Sequence, residues 1–393
     1  MTPSISNQRL RASFALLALI LAIAVLPMPG SRLRSTVRQL RSPQPNRADR
    51  EAHAGGYYLG LIEGGADTSR DELSLRLMGK TSDWMSFHEI NATKYLRGDF
   101  LQFELKPNVR ETMFGRSFTT NSHGLRDREY RVEKPAGVFR IALLGSSMDM
   151  GWGVSTDETY ENQLEDWLNL HATKRGISRK FEIVNFAMAA YSPLHRVESF
   201  QRKALAYKPD LVLYSATMLD TRLLEINLRN LVTEGIAPPY DFLRTAMNEM
   251  HIGSSDRKAD KDLLKAKVKP HLDEINSAAI ANLKQRCQSE GLPLAMILVP
   301  RVGESDSPEN RALGVTKCSA LAKALELPLL DLSPTFDERD PTMIEIAAWD
   351  DHPNALGHKL LFQSLAHKIV DNPHLYEMLF GTPPPLIPLE ATR

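Results

Sequence analysis

From residue 137 onward the chain alternates short apolar runs with longer amphipathic stretches, and this alternation predicts strands and helices in turn. VFRIALLGSS, residues 138–147, reads as a buried strand running into a turn. STDETYENQLEDWLNLHA, residues 155–172, reads as a helix. Ser155 and Glu158 form a capping box at its start, and Leu164, Trp167, Leu168 and His171 share one face. KFEIVNFAM is a second strand with a helix after it through Lys203. PDLVLYSA is a third strand, LPLAMILVP a fourth, and LPLLDLS a fifth, placed after a helix ending near Leu325. The last helix is placed from Pro353, a favoured first-turn residue, through Val370. Strands that alternate with helices imply a parallel sheet covered on both faces, an α/β domain of three layers. Such sheets hold their ligands at the carboxyl ends of the strands.

Upstream the pattern differs. Residues 13–29, SFALLALILAIAVLPMP, are an uncharged apolar run preceded by Arg9 and Arg11. Its length is at the lower limit for a membrane-spanning helix and near the upper limit for a signal peptide. No small-x-small cleavage site follows, so residues 1–30 are expected to be an uncleaved membrane anchor, with a cleaved signal peptide as the alternative. Residues 31–55 are rich in Arg, Ser and Pro and read as a linker. Residues 56–135 carry short apolar runs broken by Gly, Asn and Asp, a small N-terminal extension with some strand. The α/β domain is placed at 136–375 and a tail at 376–393. Between the third and fourth strands, residues 221–291 are too long for a simple crossover and read as a helical insertion or lid, or as surface decoration.

Composition narrows the partners. Lysine plus arginine equals aspartate plus glutamate, 48 each, so the formal net charge is zero. No nucleic-acid-binding module is visible and none is expected. Cys287 and Cys318 flank one predicted strand, so a disulfide or two reduced cysteines are both open. They have no partner cysteines or histidines at zinc spacing, and neither a metal nor a cofactor is expected. Six arginines between Arg32 and Arg50 follow the apolar run, which by itself favours a cytoplasmic body.

Two turns carry candidate chemistry. Gly145-Ser146-Ser147-Met148 follows the first buried strand. A serine at a strand's carboxyl end and a helix's start exposes its hydroxyl to the crevice beside helix amides that receive negative charge. Asp350-Asp351-His352-Pro353-Asn354 precedes the last helix. There the carboxylate of Asp350 can orient the imidazole of His352, which takes the serine proton and returns it. Trp152 is placed either at the pocket wall or as a packing residue. His358, on the last helix, is placed as a packing or surface residue.

These segments resemble the SGNH, or GDSL, hydrolase superfamily, whose fold is flavodoxin-like. The resemblance covers roughly residues 115–375. Gly145 and Ser147 match the block that carries the nucleophile, with Ser146 where aspartate is usual. Asp350, His352, Pro353, Asn354 and Gly357 match the last block. Asn121, Gly124 and Arg126 resemble an element that precedes the first block in a bacterial subgroup. The middle blocks depart: NFAMAAY keeps Asn185 and Tyr191 but has Ala190 where a glycine amide serves as oxyanion donor. TMLD has Thr217, Leu219 and Asp220 where the family has an oxyanion-binding asparagine. The resemblance implies Ser147, His352 and Asp350 as a catalytic triad, with Ala190, Thr217, Asp220 and Trp152 lining the oxyanion and substrate side. It implies a serine esterase acting on an ester-linked acyl group of a small molecule or glycan, with an exported, membrane-anchored body. Transfer of the acyl group to an extracellular polysaccharide, and a degenerate glycan- or partner-binding member, stand as alternatives.

Overall fold

The computed structural model describes residues 90–302, 308–347 and 350–384. The apolar run at 13–29, the linker, the N-terminal extension before residue 90 and the end of the tail lie outside these residues. Among the described residues no helix is long and apolar enough to cross a membrane.

In chain order the strands are β1 (Thr93–Tyr95), β2 (Phe103–Leu105), β3 (Arg110–Met113), β4 (Arg116–Thr119), β5 (Val138–Leu144), β6 (Lys180–Asn185), β7 (Leu211–Ala216), β8 (Leu294–Leu298), β9 (Leu329–Asp331), β10 (Glu345–Ala347) and β11 (Asp350–Pro353). The helices are α1 (Ser147–Met150), α2 (Tyr160–Lys174), α3 (Pro193–Arg202), α4 (Asp220–Glu234), α5 (Asp241–Glu249), α6 (Lys261–Val268), α7 (Leu272–Ser289), α8 (Pro308–Ala324), α9 (Pro341–Ile344), α10 (Ala355–Val370) and α11 (Pro373–Phe380).

Five parallel strands form the central sheet in the order β6-β5-β7-β8-β9. Numbered within the sheet this is 2-1-3-4-5, the flavodoxin-like order, with the first strand flanked by the second and third. Every residue of LVLYSA in β7 and of LAMIL in β8 is buried, because helices cover both faces. Alternate side chains divide between the faces. Ala142, Leu144, Val212, Tyr214 and Met296 pack on Leu194 and Val197 of α3, Leu224 and Leu228 of α4 and Ile280 and Leu283 of α7. Ile141, Leu143, Leu211, Leu213 and Ile297 face the other way, onto Leu164 and Leu168 of α2 and Leu361 and Leu365 of α10. The stretch 221–291 is helical. Its α4 and α7 form part of the layer on one sheet face, with α6 against α4 and α5 against α7.

Two helix starts differ from the sequence expectation. The capping box of Ser155 and Glu158 closes a short 3-10 turn, Thr156–Glu158, and Thr159 then caps α2 by accepting from the Asn162 amide. Pro353 lies in β11, and Asn354 is the cap of α10, its side chain accepting from the Leu356 and Gly357 amides. An asparagine oxygen satisfies two orphan amides, which proline at the first turn cannot do. Cys287 and Cys318 are both free thiols.

Before the sheet domain stand two antiparallel hairpins, β1–β2 and β3–β4. Their apolar residues Leu101, Phe103, Leu105, Met113 and Phe118 form a third core with Met150, Trp152 and the segment 187–191. The extension is thus packed on the carboxyl edge of the sheet, where a site is expected.

Candidate active site

The strand β5 delivers the chain into a tight turn. At Gly145 an added Cβ would lie 2.2 Å from Oδ2 of Asp149, so only glycine fits. The same Oδ2 accepts from the Ser146 amide at 2.7 Å, and Oδ1 accepts from the Tyr160 hydroxyl at 2.6 Å. A carboxylate three residues on thereby ties down the turn, and burial pushes its pKa up. Ser147 is the first residue of α1, so its amide has no acceptor within the helix.

Across the crevice β11 presents Asp350 and His352. Nε2 of His352 lies 2.7 Å from Oγ of Ser147, and Nδ1 lies 2.5 Å from Oδ1 of Asp350. Oδ1 also accepts from the His352 amide at 3.0 Å, and Oδ2 accepts from the indole Nε1 of Trp152 at 2.6 Å. Burial works against a charged Asp350. The imidazole and the two other donors outweigh it and hold the carboxyl below its ordinary range. Trp152 is fully buried. It therefore packs within the fold and grips the carboxylate instead of forming the pocket wall. Asp350, Asp351 and His352 come close enough together to suggest a cation site. Their polar atoms are already used by Ser147, Trp152 and one another, and the Asp351 carboxylate is paired with Arg301.

The loop behind the nucleophile is held from the extension. Asn121 closes the turn through the His123 and Leu125 amides, and Gly124 adopts a φ of 73° with a would-be Cβ 2.7 Å from the Leu105 carbonyl. The turn sends buried Arg126 beneath α1, where it donates to the Met150 and Val154 carbonyls on either side of Trp152. Asn185, at the end of β6, joins both sides of the site. Its Nδ2 donates to the Asp149 carbonyl at 2.8 Å and its Oδ1 accepts from the Ala187 amide at 2.9 Å.

The oxyanion side is sparser. Ala190 sits at a φ of 62°, in the left-handed region that glycine occupies without cost. For alanine that conformation costs about 1–2 kcal/mol. Its amide has no acceptor among the described residues. Thr217 has its hydroxyl engaged, donating to Oδ1 of Asp220 at 3.1 Å and accepting from the Leu219 amide at 3.2 Å. Asp220 forms a buried two-pronged ion pair with Arg196, at 2.8 and 3.0 Å. Its carboxylate is thereby committed to Arg196, although Asp220 also lines the cavity beside Thr217. Leu219 brings no side-chain donor. A cavity of about 470 Å³ opens beside Thr217 and Met218, lined also by Ile280, Met296 and Leu313 but not by Ser147 or His352. His358 is buried and accepts from the Tyr160 amide through Nδ1.

The structure thus brings Ser147, His352, Asp350 and Trp152 into one chain of hydrogen bonds. Ala190 stands on one flank and Thr217 and Asp220 on the other. Asp149, a carboxylate at the third position of a helix that begins at Ser147, suits a turn cap by its position in the sequence, and it caps this turn. Sequence reasoning missed the partner of Trp152, which nothing local announced.

The sheet order is that of a flavodoxin-like α/β fold, with the serine after the sheet's first strand and the Asp-x-His before α10 meeting at its carboxyl edge. No protein-family model matches the sequence, and no curated protein does. Among solved structures, TesA matches at 12% identity, 58% of this chain covering 97% of that one, with a TM-score of 0.37. The acetylxylan esterase Axe2 from Geobacillus stearothermophilus matches at 13%, with 59% covering 94% and a TM-score of 0.38. A two-domain esterase active on acetylated mannans matches at 13%, with 64% covering 52% and a TM-score of 0.35. Likenesses this distant carry no argument about chemistry, which rests on the site's own atoms.

Proposed function

We propose that the protein is a serine esterase that cleaves an ester-linked acyl group. The observation that carries this reading is the continuous Ser147–His352–Asp350 relay, 2.7 and 2.5 Å, at the carboxyl end of β5. In the mechanism Ser147 Oγ attacks the acyl carbonyl while His352 Nε2 takes its proton, and Asp350 holds the imidazole in the tautomer that leaves Nε2 free to accept. The Ser147 and Ala190 amides receive the charge on the carbonyl oxygen. His352 then returns the proton to the leaving alcohol, and water repeats the sequence on the acyl-serine. An acetylated glycan is the proposed natural ester and water the proposed acceptor.

The proposal is tested with aryl esters from acetyl to octanoyl, using the full-length protein and Ser147→Ala as control. The expected result is turnover that disappears in the control. Turnover equal in both, or absent from both, overturns it.

A further inference from the structure

The strain at Ala190 needs a cause, since an alanine in the left-handed region persists only where its surroundings hold it. Those surroundings belong to the extension. Tyr191, the next residue, donates its hydroxyl to the Phe103 carbonyl of β2 at 3.0 Å. Its ring lies 5.5 Å from that of Phe103 and stacks on His195 of α3 at 5.1 Å with planes 17° apart. Phe103 and His195 close the triangle at 5.2 Å. Burial pushes the Tyr191 phenol up, which keeps it a donor, and pushes His195 down to about 3, which keeps it neutral.

A second strut lies beside the first. Gln102, itself at a φ of 60°, turns its side chain into the sheet domain. Its Oε1 accepts from Nδ2 of Asn227 on α4 at 2.7 Å and from Nε2 of His195 at 3.2 Å. Nδ1 of His195 accepts from the Ser192 amide at 3.1 Å, and the Ser192 hydroxyl donates to Oδ1 of Asn227 at 3.0 Å. All four residues are buried. The segment 190–192 is therefore gripped on one side by the β1–β2 hairpin and on the other by α3 and α4. Within this network Nε2 of Gln102 has no partner among the described residues, while the other side-chain groups are paired, and a buried hydrogen-bonded network rigidifies what it touches.

We infer that the β1–β2 hairpin is a clamp that forces Ala190 into the glycine-like conformation, so that residues outside the sheet domain set the aim of an oxyanion donor. Tyr191 and Gln102 are then positioning residues. The inference rests on the oxyanion role of Ala190 proposed above. It also accounts for alanine standing where glycine is usual: the clamp replaces intrinsic freedom with external restraint.

The test is a double-mutant cycle on the full-length protein with Tyr191→Phe, which keeps the ring, and Ala190→Gly. Tyr191→Phe is expected to lower kcat on an aryl acetate about tenfold while KM changes less than twofold. Adding Ala190→Gly is expected to restore kcat to within about threefold of the wild type, because glycine holds the conformation without the clamp. An unchanged kcat in Tyr191→Phe, or no rescue, overturns the inference. Melting temperatures give a readout independent of turnover. Ala190→Gly is expected to raise Tm by about 2 °C in the clamped protein and not at all beside Tyr191→Phe. Shifts that simply add overturn the clamp even if the wild type is inert, and inertness together with non-additive shifts overturns only the esterase reading.

Discussion

On the nucleophile side of the site, polar atoms are paired in sequence. Trp152 holds Asp350, Asp350 holds His352, His352 meets Ser147, and Asp149 holds the turn beneath. Across the crevice, the oxyanion side offers the Ala190 amide at a strained φ, a threonine hydroxyl committed to Asp220 and a leucine without a donor. The two sides differ in what maintains them. The first is a chain of direct hydrogen bonds among the reacting groups. The second depends on backbone conformation imposed from the extension. On the proposed mechanism, proton transfer is thus well provided, and stabilisation of the developing charge is the weaker half.

Substitutions sharpen this contrast, taken from the largest effect. Ser147→Ala and His352→Ala are each expected to lower kcat by about 10⁴-fold or more, measured on an aryl acetate, since either removes the relay as a unit. Asp350→Asn is expected to cost about 10³–10⁴-fold, because the amide favours the wrong imidazole tautomer. Leu219→Asn gives the sparse side a side-chain donor and is expected to raise kcat by about tenfold. A missing donor of this kind ordinarily costs about 10²–10³-fold, and a new one without its own supports recovers part of that. A fall in kcat would mean that Leu219 does not face the oxyanion. Trp152→Phe, which keeps the packing and deletes the donor to Asp350, is expected to lower kcat about tenfold with KM unchanged.

The smallest effect concerns the support beneath both sides. Glu161 is buried, and burial together with the neighbouring Asp127 charge pushes its carboxyl well above the ordinary range. An acid whose pKa is raised by folding gives stability that is fully present below the ordinary value and is lost as pH rises. Glu161→Gln is therefore expected to raise Tm by about 2 °C at pH 8 and to leave it unchanged at pH 4. Its Oε1 contacts to Asn162, Asn185 and Thr159 can be kept by the glutamine oxygen.

How much of this was legible in the sequence follows from the range of the interactions. The strands β7 and β8 are near-continuous apolar runs because both faces are covered, so composition alone marks them. Asp350 and His352 lie two residues apart and meet through local geometry, which a motif can carry. Trp152 and Asp350 are 198 residues apart, and no local pattern couples an indole to that carboxylate. The strands β1 and β2 have three residues each, too few to show alternation, so the clamp on Ala190 left no periodic trace. Thr217 and Asp220 illustrate a different limit. Their types and spacing suit a ligand site, yet Arg196, from another helix, takes the carboxylate. Motif spacing registers which groups are near one another and not which of them the fold has already used.

The central claim is that Ser147 is a nucleophile activated by His352. Its most direct measurement is covalent labelling of the full-length protein by a fluorophosphonate probe, with the modified residue located by peptide mass spectrometry. The account expects one adduct on Ser147, lost in Ser147→Ala and slowed at least a hundredfold in His352→Ala. No labelling of Ser147 under conditions that label a control esterase, or labelling at the same rate without His352, would contradict it.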